Sequence, residues 1–209
     1  MTVPAAGLRK VAYGLVLLLV ATGAYLLGVR PAPPPADDSV AVGFARDMAA
    51  HHQQAVDMSL TVLGRDPSPE VATLAYDIAG SQAVQQGMLL GWLAAWGRSP
   101  SGDRPPMAWM GMPPPNVTDL GRGIRMPGMA DRAELAGLRR SSGREADIRF
   151  LRLMIRHHLG GIHMAEAALA GPLPVEERRL AVSIMSAQQA EVTTMSALLA
   201  DRTGAPGTR

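Results

Sequence analysis

Apolar residues along this chain follow two regimes. From Val11 to Val29 they run almost unbroken, with Arg9 and Lys10 before them and Arg30 after. Beyond the prolines of 31–36 they recur every three to four positions, the period of a helix with one buried face. Four such stretches are expected as helices. The first runs from about Val40 to Leu63, behind the capping candidates Asp37, Asp38 and Ser39, and stops at Gly64. The second starts at Pro69, with Ser68 before it, and ends near Trp96 and Gly97. The third spans about Arg144 to Ala170 and meets Gly171-Pro172. The fourth runs from Pro174 to about Arg202, and a shorter helix is expected over Asp131 to Arg140.

The third and fourth stretches repeat the first and second. Phe44, Met48, His51, His52 and Met58 recur as Phe150, Met154, His157, His158 and Met164, at a constant offset of 106 positions. The same offset relates Glu70 to Glu176, Leu74 to Leu180, Ile78 to Ile184 and Gln82 to Gln188. A duplicated αα-hairpin follows. Two hairpins, each with one apolar face, bury it by docking as a four-helix bundle, so the fold class is all-α. The expected layout is an N-terminus at 1–10, a membrane-spanning signal-anchor at 11–29, a Pro-rich spacer at 30–38, the bundle at 39–203 and a tail at 204–209. Within the bundle, repeat one is 39–97, the connection is 98–143 and repeat two is 144–203.

A nineteen-residue helix reaches about 28 Å, close to the ~30 Å hydrocarbon core of a bilayer. Tyr13 and Tyr25 near its ends suit the interfaces, and the preceding basic pair predicts a cytoplasmic N-terminus with the rest of the chain outside. A cleaved signal peptide is the alternative. Its apolar region is usually shorter, about 7–15 residues.

Composition narrows the chemistry. The net charge of +2 calls for no nucleic acid, and the basic charge is almost all arginine. There is no cysteine, so soft metal ligands reduce to Met thioether and His imidazole. All five histidines lie in the two repeats. At about 100° per residue, His51 shares a stripe with Phe44 and Met58, while His52 falls at the stripe's edge. His157 and His158 behave alike, and His163 points away. On the hairpins' other helices, Gln82, Gln85, Gln188 and Glu191 fall on apolar stripes, where polar groups are costly unless paired. These positions predict a core cluster of His51, His157, Gln82, Gln188 and Glu191, with Asp47 beside it. Met48, Met58, Met154, Met164 and Met195 would surround it. A di-iron bundle needs Glu-x-x-His, but Met48 and Met154 stand three before His51 and His157. Imidazole with thioether instead suits copper, as Cu(I) or Cu(II). The plain alternative is adaptable Met packing and satisfied core histidines.

The connection is rich in Pro, Gly and Met. Met107, Met110, Met112, Met126 and Met129 are either filler or, in a flexible segment, a collector of soft metal. No nucleophile–base pair, phosphate loop or cofactor fingerprint is present, so binding is expected ahead of catalysis.

The paired Phe-x3-Met-x2-His-His-x5-Met, the Met126-Pro-Gly-Met129 before its second copy, and Ile184, Gln188, Glu191 and Met195 on the last helix resemble a bacterial family catalogued as domain of unknown function 305. The resemblance covers about Asp38 to Arg202. It implies a ferritin-like four-helix bundle, commonly exported or membrane-anchored, with some members linked to copper binding and copper tolerance. By position it implies the ligands Met48, His51, His52 and Met58, with Met154, His157, His158 and Met164. Gln85 departs from the pattern, which expects Glu there. The expected role is therefore an extracytoplasmic, membrane-anchored copper protein that buffers copper or passes it to or from a partner protein. A ferritin-like metal-dependent oxidase and a structural module at the membrane are the competing readings.

Overall fold

The computed structural model describes residues 5–28, 33–113, 115–124 and 126–204, with side chains from Arg9 onward. Residues 1–4, 29–32 and 205–209 lie outside it, and with them the start of the expected N-terminal segment, Val29 of the expected span, the first spacer residues and nearly all of the tail. Every regular element among the described residues is helical.

The chain divides into two units, Met1–Pro34 and Pro35–Arg209. The first holds helix α1, Ala5–Gly28, which begins six residues before the expected span. Its Arg9–Gly28 stretch has a mean hydropathy of 2.0, long and apolar enough to cross a membrane or to serve as a signal sequence.

The second unit is built on four long helices: α2 (Val40–Leu63), α3 (Pro69–Ala95), α6 (Gly143–Ala170) and α7 (Val175–Thr203). Local chemistry sets their ends. The Ser39 hydroxyl accepts from the Val42 amide at 3.3 Å, and Gly64 closes α2. Pro69 opens α3 from the Ser68 cap, and Gly97 leaves it with φ of 65°. Pro174, expected as the first residue of α7, is instead its extended N-cap, and Gly204 (φ 67°) follows its last residue.

Helix α2 packs chiefly on α3 and α6 on α7, the two expected hairpins, and α2 and α6 bring the pairs together. Two core clusters result. One contains Phe44, Met48, Leu89, Met164 and Ile184. The other contains Phe150, Met154, Met195, Met58 and Ile78. Each residue in the first list has its 106-offset partner in the second. Each core therefore takes half its wall from either repeat, as an approximate twofold axis between α2 and α6 requires. Met48 sharing a cluster with Met164, and Met58 with Met154, means that α2 and α6 run antiparallel.

The connection carries the short helix expected over Asp131 to Arg140 and more order beside it. It contains a 3-10 turn at Ala108–Met110, α4 at Val117–Arg122 and α5 at Arg132–Arg140. Helix α5 carries a reciprocal capping box between Asp131 and Glu134. Two clamps tie the segment to α2. Asp47 accepts from the Met107 amide at 2.7 Å and from Trp109 Nε1 at 2.8 Å. Gln54 donates to the Ala130 carbonyl at 3.0 Å and accepts from the Ala130 amide at 2.7 Å. Gly43 is where Trp109 lies flat on α2, since a Cβ there would sit 2.5 Å from the indole.

Candidate metal centre

The four paired histidines, His51, His52, His157 and His158, are all fully buried in the layer between the two apolar clusters. His51 and His157 stack with ring centroids 3.7 Å apart and planes inclined by 29°. His51 Nε2 lies 3.1 Å from the Pro127 carbonyl. His52 Nε2 lies 2.8 Å from Gln85 Oε1, and His158 Nε2 lies 2.6 Å from Glu191 Oε2. A carbonyl, an amide oxygen and a carboxylate only accept. Each of these three rings therefore carries a proton on Nε2, and in the neutral ring Nδ1 bears a lone pair. Among the described residues those Nδ1 atoms have no partner, and His157 has only the His51 backbone nearby, outside good hydrogen-bond geometry.

Burial favours the neutral form of His51, His52 and His157. It drives His51 down to about 4, with the Pro127 carbonyl opposing, and His52 to about 3, with neighbouring His51 adding to the effect. His157 falls well below its ordinary value for the same reason, reinforced by His51. Neutral imidazole is the form that binds metal.

The pairing differs from the sequence expectation. Gln85 and Glu191 meet the edge histidines His52 and His158, whereas the stripe-centre histidines His51 and His157 meet each other. Both edge pairs span the same 33 residues. The edge of the α2 stripe faces its hairpin mate α3, while the centre faces the other repeat. Gln82 and Gln188 are buried at 2 % exposure and neither amide finds a partner. Gln188 presses on α6 where Gly161 leaves room; a Cβ there would lie 2.4 Å from its Oε1.

Asp47, expected beside the cluster, faces the connection. Its carboxylate is spent on Met107 and Trp109, and burial raises its pKa against those two hydrogen bonds. His163 is exposed, as its helical angle predicted. Met48 and Met164 are buried on one side of the imidazole layer, and Met58, Met154 and Met195 on the other.

Pro127 is a contributor the sequence did not single out. The Met126–Met129 loop sits on α6, and Gly128 takes φ of 78° with its own Cβ position 2.5 Å from the Arg156 carbonyl. A Cβ on Gly160 would fall 2.2 Å from the Pro127 oxygen. The two glycines let the loop roof the stacked rings.

Among the described residues, no three His, Cys, Asp or Glu side chains already converge around one point. The donor set still fits a soft metal ion: neutral imidazoles with unpartnered nitrogens, outer acceptors that hold the ring protons away from them, and buried thioethers on both sides.

The comparisons agree with this architecture. A crystal structure of a DUF305 protein from Streptomyces coelicolor is 43% identical with a TM-score of 0.74, covering 83% of this chain and all of that one. A DUF305 fragment from Deinococcus radiodurans is 33% identical with a TM-score of 0.65, covering 81% and 99%. CopM in its Cu(II)-bound form is 26% identical with a TM-score of 0.56, covering 76% and 94%. No match is found among curated proteins. The family profile described as domain of unknown function (DUF305) matches residues 41–199, which takes in both hairpins and the connection, and the chain belongs to that family.

Proposed function

We propose that this protein binds copper through the buried imidazole layer and holds or hands on the ion outside the cytoplasm, anchored by α1. One observation carries the reading. Four buried histidines each keep a nitrogen with no partner among the described residues, in a place where such groups are costly unless something polar engages them. The candidate ligands are His51, His52, His157 and His158, with Met48, Met58, Met154 and Met164. Copper bound to CopM, which shares this fold, supports the choice of metal.

The charge balance favours Cu(I). Glu191 is the carboxylate that reaches a histidine here, while Gln85 holds the matching place as a neutral amide. One negative charge among neutral donors compensates one positive charge, and a divalent ion would leave a buried excess. A single carboxylate also disfavours an oxidase of the di-iron type, which needs several.

The test is metal retention by the full-length protein in detergent micelles. Cu(I) held stoichiometrically by the parent and lost from the His51→Leu/His157→Leu variant supports the reading. Equal retention by both proteins removes the imidazole layer as the site.

A further inference from the structure

The connection carries a second group of soft donors. A cavity of about 660 Å³ opens at the surface, with Glu134 of α5 and Arg156 of α6 on its wall. Met107, Met112, Met126 and Met129 all line it, brought from two separate segments of the connection. Met107 and Met126 are only 3 % exposed, whereas Met112 is 38 % exposed and stands at the mouth.

Two charge pairs stand at this wall, and the Asp119 carboxylate that also lines it accepts from Asn116 Nδ2 at 2.7 Å. Arg156 donates to both Glu134 oxygens at 2.7 and 2.6 Å, and Arg122 donates to Asp131 at 2.6 Å. What the cavity offers a soft cation is thioether sulfur, with the Asp119 carboxylate as an oxygen donor on the same lining. Met107 and Met126 pack into the core with one face and line the cavity with the other, while Met112 borders open space. Neutral thioethers select soft monovalent cations and leave Zn(II) or Ca(II) unbound.

The placement has a direction. Met107 and Met126 also join the core cluster that holds Met48 and Met164, on the helices of His51 and His157. The residue after Met126 is Pro127, whose carbonyl meets His51. Thioethers thus run from the cavity mouth toward the imidazole layer on this side. Among the described residues, the other core cluster receives no methionine from the connection.

We propose that this cavity is a second soft-cation site, formed by Met107, Met112, Met126 and Met129, which takes Cu(I) or Ag(I) beside the loop roofing the histidines. It stands independently of the imidazole site. Ag(I) is the probe, because it shares the closed d-shell and charge of Cu(I) without its redox chemistry. Calorimetric titration of the full-length protein in micelles should show two classes of Ag(I) site. The Met112→Leu/Met129→Leu variant, close to Met in volume, should lose one class and retain the parent Tm. The His51→Leu/His157→Leu variant should keep that class. Should the double leucine variant fold poorly, Met112→Leu alone, at the exposed mouth, should weaken the same class at least tenfold.

Unchanged Ag(I) stoichiometry and affinity in the methionine variants would overturn the proposal, as would complete loss of Ag(I) from the histidine variant. Full Ag(I) binding by the histidine variant, with loss only in the methionine variant, would keep the cavity and discard the imidazole site.

Discussion

His51 and His157, 106 positions apart in the chain, stack at 3.7 Å where α2 crosses α6. His51 has an outer acceptor in Pro127, but His157 has only the His51 backbone nearby and makes no well-formed hydrogen bond on either nitrogen among the described residues. That asymmetry makes His157 a residue whose presence the apo fold does not reward.

Replacing His157 by Leu should therefore stabilise the metal-free protein. It removes an unsatisfied buried group, worth about 1–3 kcal/mol, and keeps apolar volume in the layer. Thermal unfolding without metal should show a raised Tm, alongside weakened copper binding. A clear fall in Tm would mean that the imidazole makes a stabilising contact.

Glu191→Gln should weaken Cu(I) binding, since it removes the compensating charge beside His158. Gln85→Glu should do the opposite for divalent ions, raising Cu(II) affinity relative to Cu(I) by supplying a second negative charge beside His52. Competition titrations with each oxidation state read the ratio. An unmoved ratio in both variants would argue against charge as the selector.

The apo protein should be most stable near pH 6.5. His51, His52 and His157 have folded pKa values below the ordinary 6.5, so on acidification the unfolded chain takes up their protons first. Stability is then lost as pH falls from about 6.5 toward 4. Glu177 has the opposite sign. It is fully buried with both oxygens unpartnered, and burial pushes it up to about 8 from an ordinary 4.5. Its stabilising proton is lost as pH rises through 8. Between 4.5 and 6.5 three histidines oppose one carboxyl, and above 6.5 only the carboxyl acts. Glu177→Val restores the residue type of its repeat-one counterpart, Val71, and should flatten the alkaline limb while leaving the acid limb. Denaturation midpoints measured from pH 4 to 9 would show both limbs.

Gly160→Ala should dislodge the loop over the histidines. Its Cβ would fall 2.2 Å from the Pro127 carbonyl, against backbone that has little freedom to yield. A destabilisation of about 1–3 kcal/mol is expected, with faster exchange of the Ala130 amide, which Gln54 holds. Parent-like stability and protection in Gly160→Ala would show that the roof is not seated on this glycine.

Read from the chain alone, the helices, their caps and the duplication were legible, because helical period and an exact repeat are local or self-referential signals. The four long helices and the stripe positions of Phe44, Met48, His51 and Met58 follow from 3.6-residue periodicity. The inward direction of His51 and His157 follows from the same count, as does the exposure of His163. What periodicity does not encode is which neighbour an inward or edge residue meets. His52 and Gln85 pair because the edge of the α2 stripe faces α3, and His51 meets His157 because its centre faces α6. The connection was the least legible part. Its order comes from Asp47 and Gln54, two polar side chains of α2 that bond backbone groups 60 and 76 residues away. Its cavity comes from bringing Met112 and Met129 to one wall. Such contacts depend on the path of the chain between distant segments, and only the tertiary structure decides that path.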